Sequence, residues 1–485
     1  MISNTIRKPG SYSEFVKGTS GALPPRRFEL LIIAQRLAAG VVAANIPTRI
    51  YSPEQAAVQF GAGSVMHRMA MAVLRQFPSC MLSGCGVDDN AAGVAATSTI
   101  TFGGAGASET GTSTLYLGTD RLTIRLDTGT TAAQAAAKLA AEITLYPHLP
   151  VTAAAVEAVV TLTAKNKGTC GNLLGQHNAA TGKTKPVVIS ETAGITAVAT
   201  DFTGGATDPS LTTAFTAVAG YRYHLIALPF QTSDAATALS EHLTSVSNEV
   251  NQRGARGYMF LSGALADATT LAAINDKRIC IGYVRGCRRP SFENAAAFAA
   301  IQASVESPWL AINDAELVGC DAPDVPSRFT GLEIDTLLWN GVTPFEVGAG
   351  ERVRCVRAIS TYVKNDADSP DDAWLDSFKI ATADYVRDAI RMRHRNDFAN
   401  AILRDSHVDG EPAGVVTPAD VRSTNLDVCR RIEREGGLNT VSDYVDLFVS
   451  TRDPNVPGRV NSEIPIDIVD AAHILANTIS IVSSL

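Results

Sequence analysis

The 485-residue sequence has little charge and no concentrated basic stretch. Lys, Arg, Asp and Glu make up 19% of it, below the roughly 25% of an average soluble protein. The net charge is −8, whereas a nucleic-acid binder needs a dense basic footprint. Long apolar runs are also missing. The most apolar early stretch, Phe28 to Pro47, is broken by Arg36, so nothing reads as a membrane span. The opening Met1-Ile2-Ser3-Asn4-Thr5-Ile6-Arg7-Lys8 lacks the apolar core of a signal peptide. Cytoplasmic synthesis with reduced thiols is the expectation. The eight cysteines, at 80, 85, 170, 280, 287, 320, 355 and 429, include no C-x2-C pair and have no companion His cluster. No zinc site is expected, and no cofactor.

Catalytic motifs are scarce too. Asn178-Ala179-Ala180-Thr181-Gly182-Lys183-Thr184 is the nearest approach to a phosphate loop, but His177 stands where its first Gly belongs. A mobile polar loop is the plainer reading. A Gly-x-Ser-x-Gly elbow is absent. Ser262-Gly263 follows a strand, and His224 and His242 exist, but only geometry makes a triad of such residues. Paired acids such as Asp371-Asp372 precede a helix, where negative charge complements the dipole. No enzyme is read from these residues.

What is present is length and apolar content, with 46% hydrophobic residues. Such a chain exceeds one compact core, so about two to four domains are expected. Residues 1–27, punctuated by Gly and Pro, read as an extended arm with Tyr12, Phe15 and Val16 as apolar contacts. Residues 28–87 open a core: Phe28 to Ala34 as a buried strand, then one helix over Pro53 to Phe77 capped by Ser52. Composition turns to Ala, Thr and Gly over 88–206. Strands are expected there at Ser98–Phe102, Thr114–Leu117, Leu122–Leu126 and Ala158–Ala164, with one helix from Thr131 to Leu145. That unit reads as an insertion.

Over 207–365 the pattern is α/β. Strands Tyr223–Pro229, Gly257–Leu261 and Ile279–Val284 alternate with helices Asp234–Gln252 and Ala266–Asn275, which predicts parallel pairing. A hairpin-like section follows, with Asn340-Gly341 as its turn. Residues 366–458 read as helical, with helices over Ala373–Arg395 and Thr417–Gly436. Arg387, Arg391 and Arg395 share one helix face, to be paired with Asp384 and Asp388 or across a subunit boundary. Residues 459–485 read as a strand arm. Ile464, Ile466 and Ile468 alternate with Pro465, Asp467 and Val469, and Ile479 and Ile481 lie in a short last strand, Thr478–Val482. From Asp366 on, 12 Lys and Arg face 21 Asp and Glu, a net of −9.

Several stretches then carry a resemblance. Asn340-Gly341-Val342-Thr343-Pro344, Ile359-Ser360-Thr361-Tyr362, the Asp371–Asp376 loop, Tyr385-Val386-Arg387, Val415-Val416-Thr417-Pro418 and Ile464-Pro465-Ile466-Asp467-Ile468-Val469 look like the pattern of Mu-like phage contractile tail sheath proteins. Val159 to Asn172 and Gly204-Gly205-Ala206-Thr207-Asp208-Pro209 are similar to the protruding domain of such sheaths. The one departure noted is Ser360, where the family more often has Thr. The resemblance implies a multidomain α/β sheath core with an inserted β-rich protruding domain and extended N- and C-terminal strand arms. It implies a structural subunit of the virion tail, made in the host cytoplasm and polymerised as a helical homo-oligomer of hexameric rings around a tail tube. Its partners would be further copies, the tail tube protein, and baseplate and tail terminator proteins, with no direct nucleic acid contact and no membrane insertion. Contraction would drive the tube through the host envelope, with Gly18, Gly21 and Asp453–Gly458 as candidate hinges. The competing readings are another tail subunit (tube or baseplate), an α/β enzyme, and a secreted adhesin, which the absent signal peptide counts against.

Overall fold

The computed structural model describes residues 23–178 and 183–479. They form a mixed α/β protein with several sheets. The chain divides into two compact units. One holds Arg26–Ala383 and the stretch from Asp470 on; the other holds Asp384–Val469 with the N-terminal stretch to Pro25.

The first unit begins with strand β1 (Glu29–Gln35), whose apolar run Leu30–Ala34 is buried on both faces. Strands β2 (Pro47–Ile50) and β3 (Met81–Val87) flank helices α1 (Pro53–Phe60) and α2 (Val65–Gln76). The expected single helix over 53–77 is thus two. Gly61 adopts φ 89° and closes α1, and Ser64 then caps α2 by accepting from His67 N–H. Ser52 caps α1 as expected, its side chain accepting from Gln55 N–H at 3.2 Å.

Strands β4 (Ala95–Gly103), β5 (Gly111–Leu117) and β6 (Asp120–Leu126) follow, then α3 (Ala132–Thr144), capped by a reciprocal Thr131–Gln134 box. Next come β7 (Val151–Val156), β8 (Val159–Lys167), β9 (Gln176–His177), β10 (Thr184–Lys185), β11 (Val187–Ser190) and β12 (Thr196–Ala199). These pair only among themselves, in sheets ordered β12-β4-β8-β7, β11-β5-β6 and β10-β9.

The chain then returns through α4 (Thr212–Val218), β13 (Leu225–Ala227), α5 (Ser233–Ser247), β14 (Arg256–Leu261), α6 (Leu265–Ala272) and β15 (Ile279–Tyr283). As the alternation predicts, β13, β14 and β15 pair in parallel, and β13 lies parallel to β1. Three helices went unread in the sequence: α4, α7 (Ser291–Ala303) and α8 (Gly331–Trp339). Strands β16 (Glu316–Asp321), β17 (Thr343–Gly348) and β18 (Arg352–Cys355) complete a nine-stranded sheet ordered β16-β18-β17-β15-β14-β13-β1-β3-β2. Asn340-Gly341 is not the hairpin turn. It ends α8, with Gly341 at φ 73° and a Cβ there 2.8 Å from Thr361 Cα. The hairpin joins β17 to β18 beyond Gly348.

Helix α9 (Ser377–Phe398) starts in the first unit and ends in the second. The second unit adds β19 (Ile402–Leu403), β20 (Val415–Val416), α10 (Pro418–Arg434), β21 (Val449–Arg452) and β22 (Val460–Glu463). Its polar α9 and α10 meet through His394 Nε2 and the buried Asn425 Oδ1, 2.7 Å apart.

Candidate assembly surface

Because β21 and β22 flank a Pro-rich turn, they pair as an antiparallel hairpin, a two-stranded sheet. Val449 faces Glu463, Ser450 faces Ser462, Thr451 faces Asn461 and Arg452 faces Val460. The segment expected as a hinge, Asp453-Pro454-Asn455-Val456-Pro457-Gly458, is this hairpin's turn. Asp453 organises it, its carboxylate accepting from Asn455 N–H at 2.8 Å, Val456 N–H at 3.1 Å and Asn461 Nδ2 at 3.0 Å. Those bonds hold its pKa below the ordinary carboxylate value, the Asn461 amide contributing most. Arg422 of α10 fixes the approach to β21 by donating to the carbonyls of Phe448 (2.6 Å) and Val445 (3.0 Å). Among the described residues neither outer edge of this two-stranded sheet is paired. An isolated hairpin is marginal in water, and its open edges are templates for another strand.

The arm residues take different places. Tyr12, Phe15 and Val16, the glycines at 18 and 21, and Ile481 lie outside the described residues. The described end of the N-terminal arm is held by Tyr385, whose hydroxyl donates to Pro24 O at 3.1 Å. Ile464, Ile466 and Ile468 are half-buried in their own chain and form no continuous strand. Ile468 makes one bridge to Leu438, while Asp467 O accepts from Asn439 N–H at 2.9 Å. Pro465, without an N–H, interrupts any ladder there. Ile479 is 88% exposed and lies in no strand.

On α9, Arg387 pairs with Asp384 at 3.0 Å and Arg391 with Asp388 at 3.9 Å, the partners expected within the helix. Arg395 is exposed and makes no ion pair among the described residues. The sequence reading passed over Arg393, which binds Asp397 at 2.6 Å.

One charged clasp also went unread. His407, in the loop between β19 and β20, is hydrogen-bonded to Glu411 and reaches Asp420 Oδ2 at 2.8 Å, with Arg404 3.9 Å from Glu411. Asp420 also belongs to the capping box of α10. Glu411 foremost, then Asp420, raises the His407 pKa. The clasp is therefore complete below the ordinary His value of about 6.5 and is lost as pH rises through the raised one. Protection of the amides of residues 404–414, after correction for their intrinsic exchange rates, is expected to fall across that window, and to stay level across it in His407→Ala. Equal pH dependence in both forms would refute the clasp.

The chemical candidates are dispersed. Ser262 contacts Cys287 Sγ at 3.6 Å, whereas His224 accepts from Glu29 N–H at 3.1 Å and His242 stacks on Phe215 at 4.6 Å. Burial lowers the His242 pKa to about 4 and lifts the Cys80, Cys280 and Cys429 thiols to about 12. All eight cysteines are free and buried. At the β1–β13 junction, where the strand order reverses, an α/β enzyme would place its ligand. Here Gln35 is buried and donates to Asp89 Oδ1 and Lys167 O, both at 2.6 Å, and Asn166 reaches Asp89 at 3.0 Å. Gln35 and Asn166 thus share the Asp89 carboxylate as their acceptor there. Among the described residues no metal-holding cluster occurs, and no helix is long and apolar enough to cross a membrane.

A nine-stranded mixed sheet, several small separate β-sheets and a C-terminal hairpin together define a mixed α/β protein with several sheets. The comparisons with known proteins give the family. Residues 204–361 match the model described as phage tail sheath protein central domain, and residues 369–482 the one described as phage tail sheath C-terminal domain, together more than half of the chain. The chain belongs to the phage tail sheath protein family, whose members are structural proteins of contractile tails and not enzymes. It is similar to the Mu-like prophage FluMu tail sheath protein of Haemophilus influenzae, 27% identical over 99% of this chain and 98% of that protein. Its fold is like that of the sheath tail protein Lin1278 of Listeria innocua, with a TM-score of 0.50, 13% identity, and 92% of this chain and 93% of that one covered. It is also like that of the contracted helical sheath of the anti-feeding prophage, with a TM-score of 0.50, 11% identity, and 97% and 98% covered.

Proposed function

We propose that this chain is the subunit that polymerises as stacked hexameric rings around a tail tube, and whose contraction drives the tube through the host envelope. The observation that carries this reading is the β21–β22 hairpin, a two-stranded sheet with both edges open among the described residues. A neighbour's extended arm completes such a sheet through main-chain hydrogen bonds, with specificity from alternate side chains. The donor side is the C-terminal arm, with Ile474 85%, Leu475 80% and Ile479 88% exposed. Covering each is worth roughly 1.5–3 kcal/mol. Contacts that do not close on themselves build a helical tube. The N-terminal arm, with Tyr12, Phe15 and Val16, serves as the second link, and the Arg387–Arg391–Arg395 face as a polar contact between copies. Residues 88–206 form the outer, protruding domain, since their sheets stay separate from the nine-stranded one. The tail tube, baseplate and terminator proteins are the other partners, in the virion tail.

Electron microscopy of the purified chain, with and without its tail tube protein, tests the reading. Hollow tubes or stacked rings are expected. A monomer that ignores a supplied tail tube would overturn it.

A further inference from the structure

The C-terminal arm is held at two places before it leaves the molecule. In the second unit, Asn439 holds Asp467 through N–H to O at 2.9 Å and side chain to side chain at 3.1 Å, next to the Leu438–Ile468 bridge. In the first unit, Lys379 Nζ lies 3.2 Å from Asp470 Oδ1. His473 is then set between two partners. Its Nδ1 is 3.2 Å from Asn313 Nδ2, and its Nε2 is 3.3 Å from Asp376 Oδ1. Asp376 is itself clamped by Arg357 in a fork, at 2.8 and 2.9 Å. The His473 side chain is only 15% exposed. Beyond it the character changes at once: every described residue from Ile474 to Ile479 is exposed, and none is in a strand.

We propose that His473 is the fixed point of the arm, and that the segment handed to a second copy of this chain begins at Ile474 and not upstream at Ile464. This rests on the strand-exchange reading above. Residues 464–473 bind their own subunit through named bonds, and freeing them would forfeit those bonds and the partial burial of Ile464, Ile466 and Ile468. Residues 474–479 give up nothing on leaving, and their apolar side chains gain by being covered.

Three full-length-derived forms decide the matter by tube yield in electron microscopy, with the unaltered chain and its tail tube as reference. The first ends at His473. The second ends at Glu463. The third carries Leu438→Cys and Ile468→Cys, whose bridged backbone positions suit a disulfide, and is imaged oxidised and reduced. The expected result is at least a tenfold loss of tubes for the chain ending at His473 and none for the oxidised lock. Tubes from the chain ending at His473, with none from the chain ending at Glu463, would overturn the starting point and keep strand exchange. Tubes lost on oxidation and restored by reductant would do the same. Tubes from both shortened chains would remove the C-terminal exchange itself, and the proposal with it.

Discussion

Arg68→Ala is expected to destabilise the first unit by about 3–5 kcal/mol, the usual result of stripping one partner from a buried ion pair. Arg68 on α2 is 3% exposed in its side chain and serves two carboxylates, Glu293 of α7 at 2.8 Å and Asp120 of β6 at 2.7 Å. Removing it leaves both without this guanidinium, and Glu293 is only 6% exposed. Arg289, 3.4 Å from the other Glu293 oxygen, softens the loss without replacing the geometry. The whole cluster is a different matter. Arg68→Met with Glu293→Gln removes both signs together, so the pair is expected to lose less than the sum of the two single changes. Urea unfolding of Arg68→Ala, the two single changes and their double checks this. A loss below about 1 kcal/mol for Arg68→Ala would show the pair to be energetically idle.

Phe298→Ala is expected to cost a similar amount, about 3–5 kcal/mol, for a different reason. Phe298 is fully buried on α7 and stands edge-on to Tyr258 and Phe345, with ring centroids 5.2 and 5.3 Å away. Phe260 closes the group, 5.2 Å from Phe345. Truncation opens a cavity and forfeits two edge-to-face contacts, each worth about 0.5–1.5 kcal/mol beyond area. Phe298→Leu keeps most of the volume and should cost clearly less. Equal losses for the two variants in urea unfolding would mean that the site collapses around the gap, against the packing described.

Much of the fold was legible where local chemistry and tertiary role agree. The parallel strands at Leu225, Arg256 and Ile279 announced themselves as short apolar runs between helices. The cap at Ser52 was readable because a hydroxyl before a helix has one good use. The misreadings share a cause, in that one local signal serves two structures. Asn340-Gly341 supplies a left-handed residue, which ends a helix as well as it turns a hairpin. The alternation at Ile464–Ile468 has a strand's period, but Pro465 and the contact with Leu438 leave only a single bridge. Helix α7 has no polar face, so its sequence shows no 3.6-residue period to read. As for the assembly surface, the Arg387–Asp384 pair follows from spacing within one helix. The anchoring of His473 by Asn313 and Asp376 joins residues far apart in the chain, and no local pattern encodes it.

Helix α7 has one more consequence. All of its residues, from Ser291 to Ala303, are buried. No position on it is open to a neighbour, and each side chain is constrained in volume from every direction. Among related chains this helix should therefore drift most slowly, even where tail architecture and host diverge. Surface segments such as the exposed arm beyond His473 are free to co-vary with whatever copy they must fit. The molecule thus separates what inheritance must preserve from what it can renegotiate.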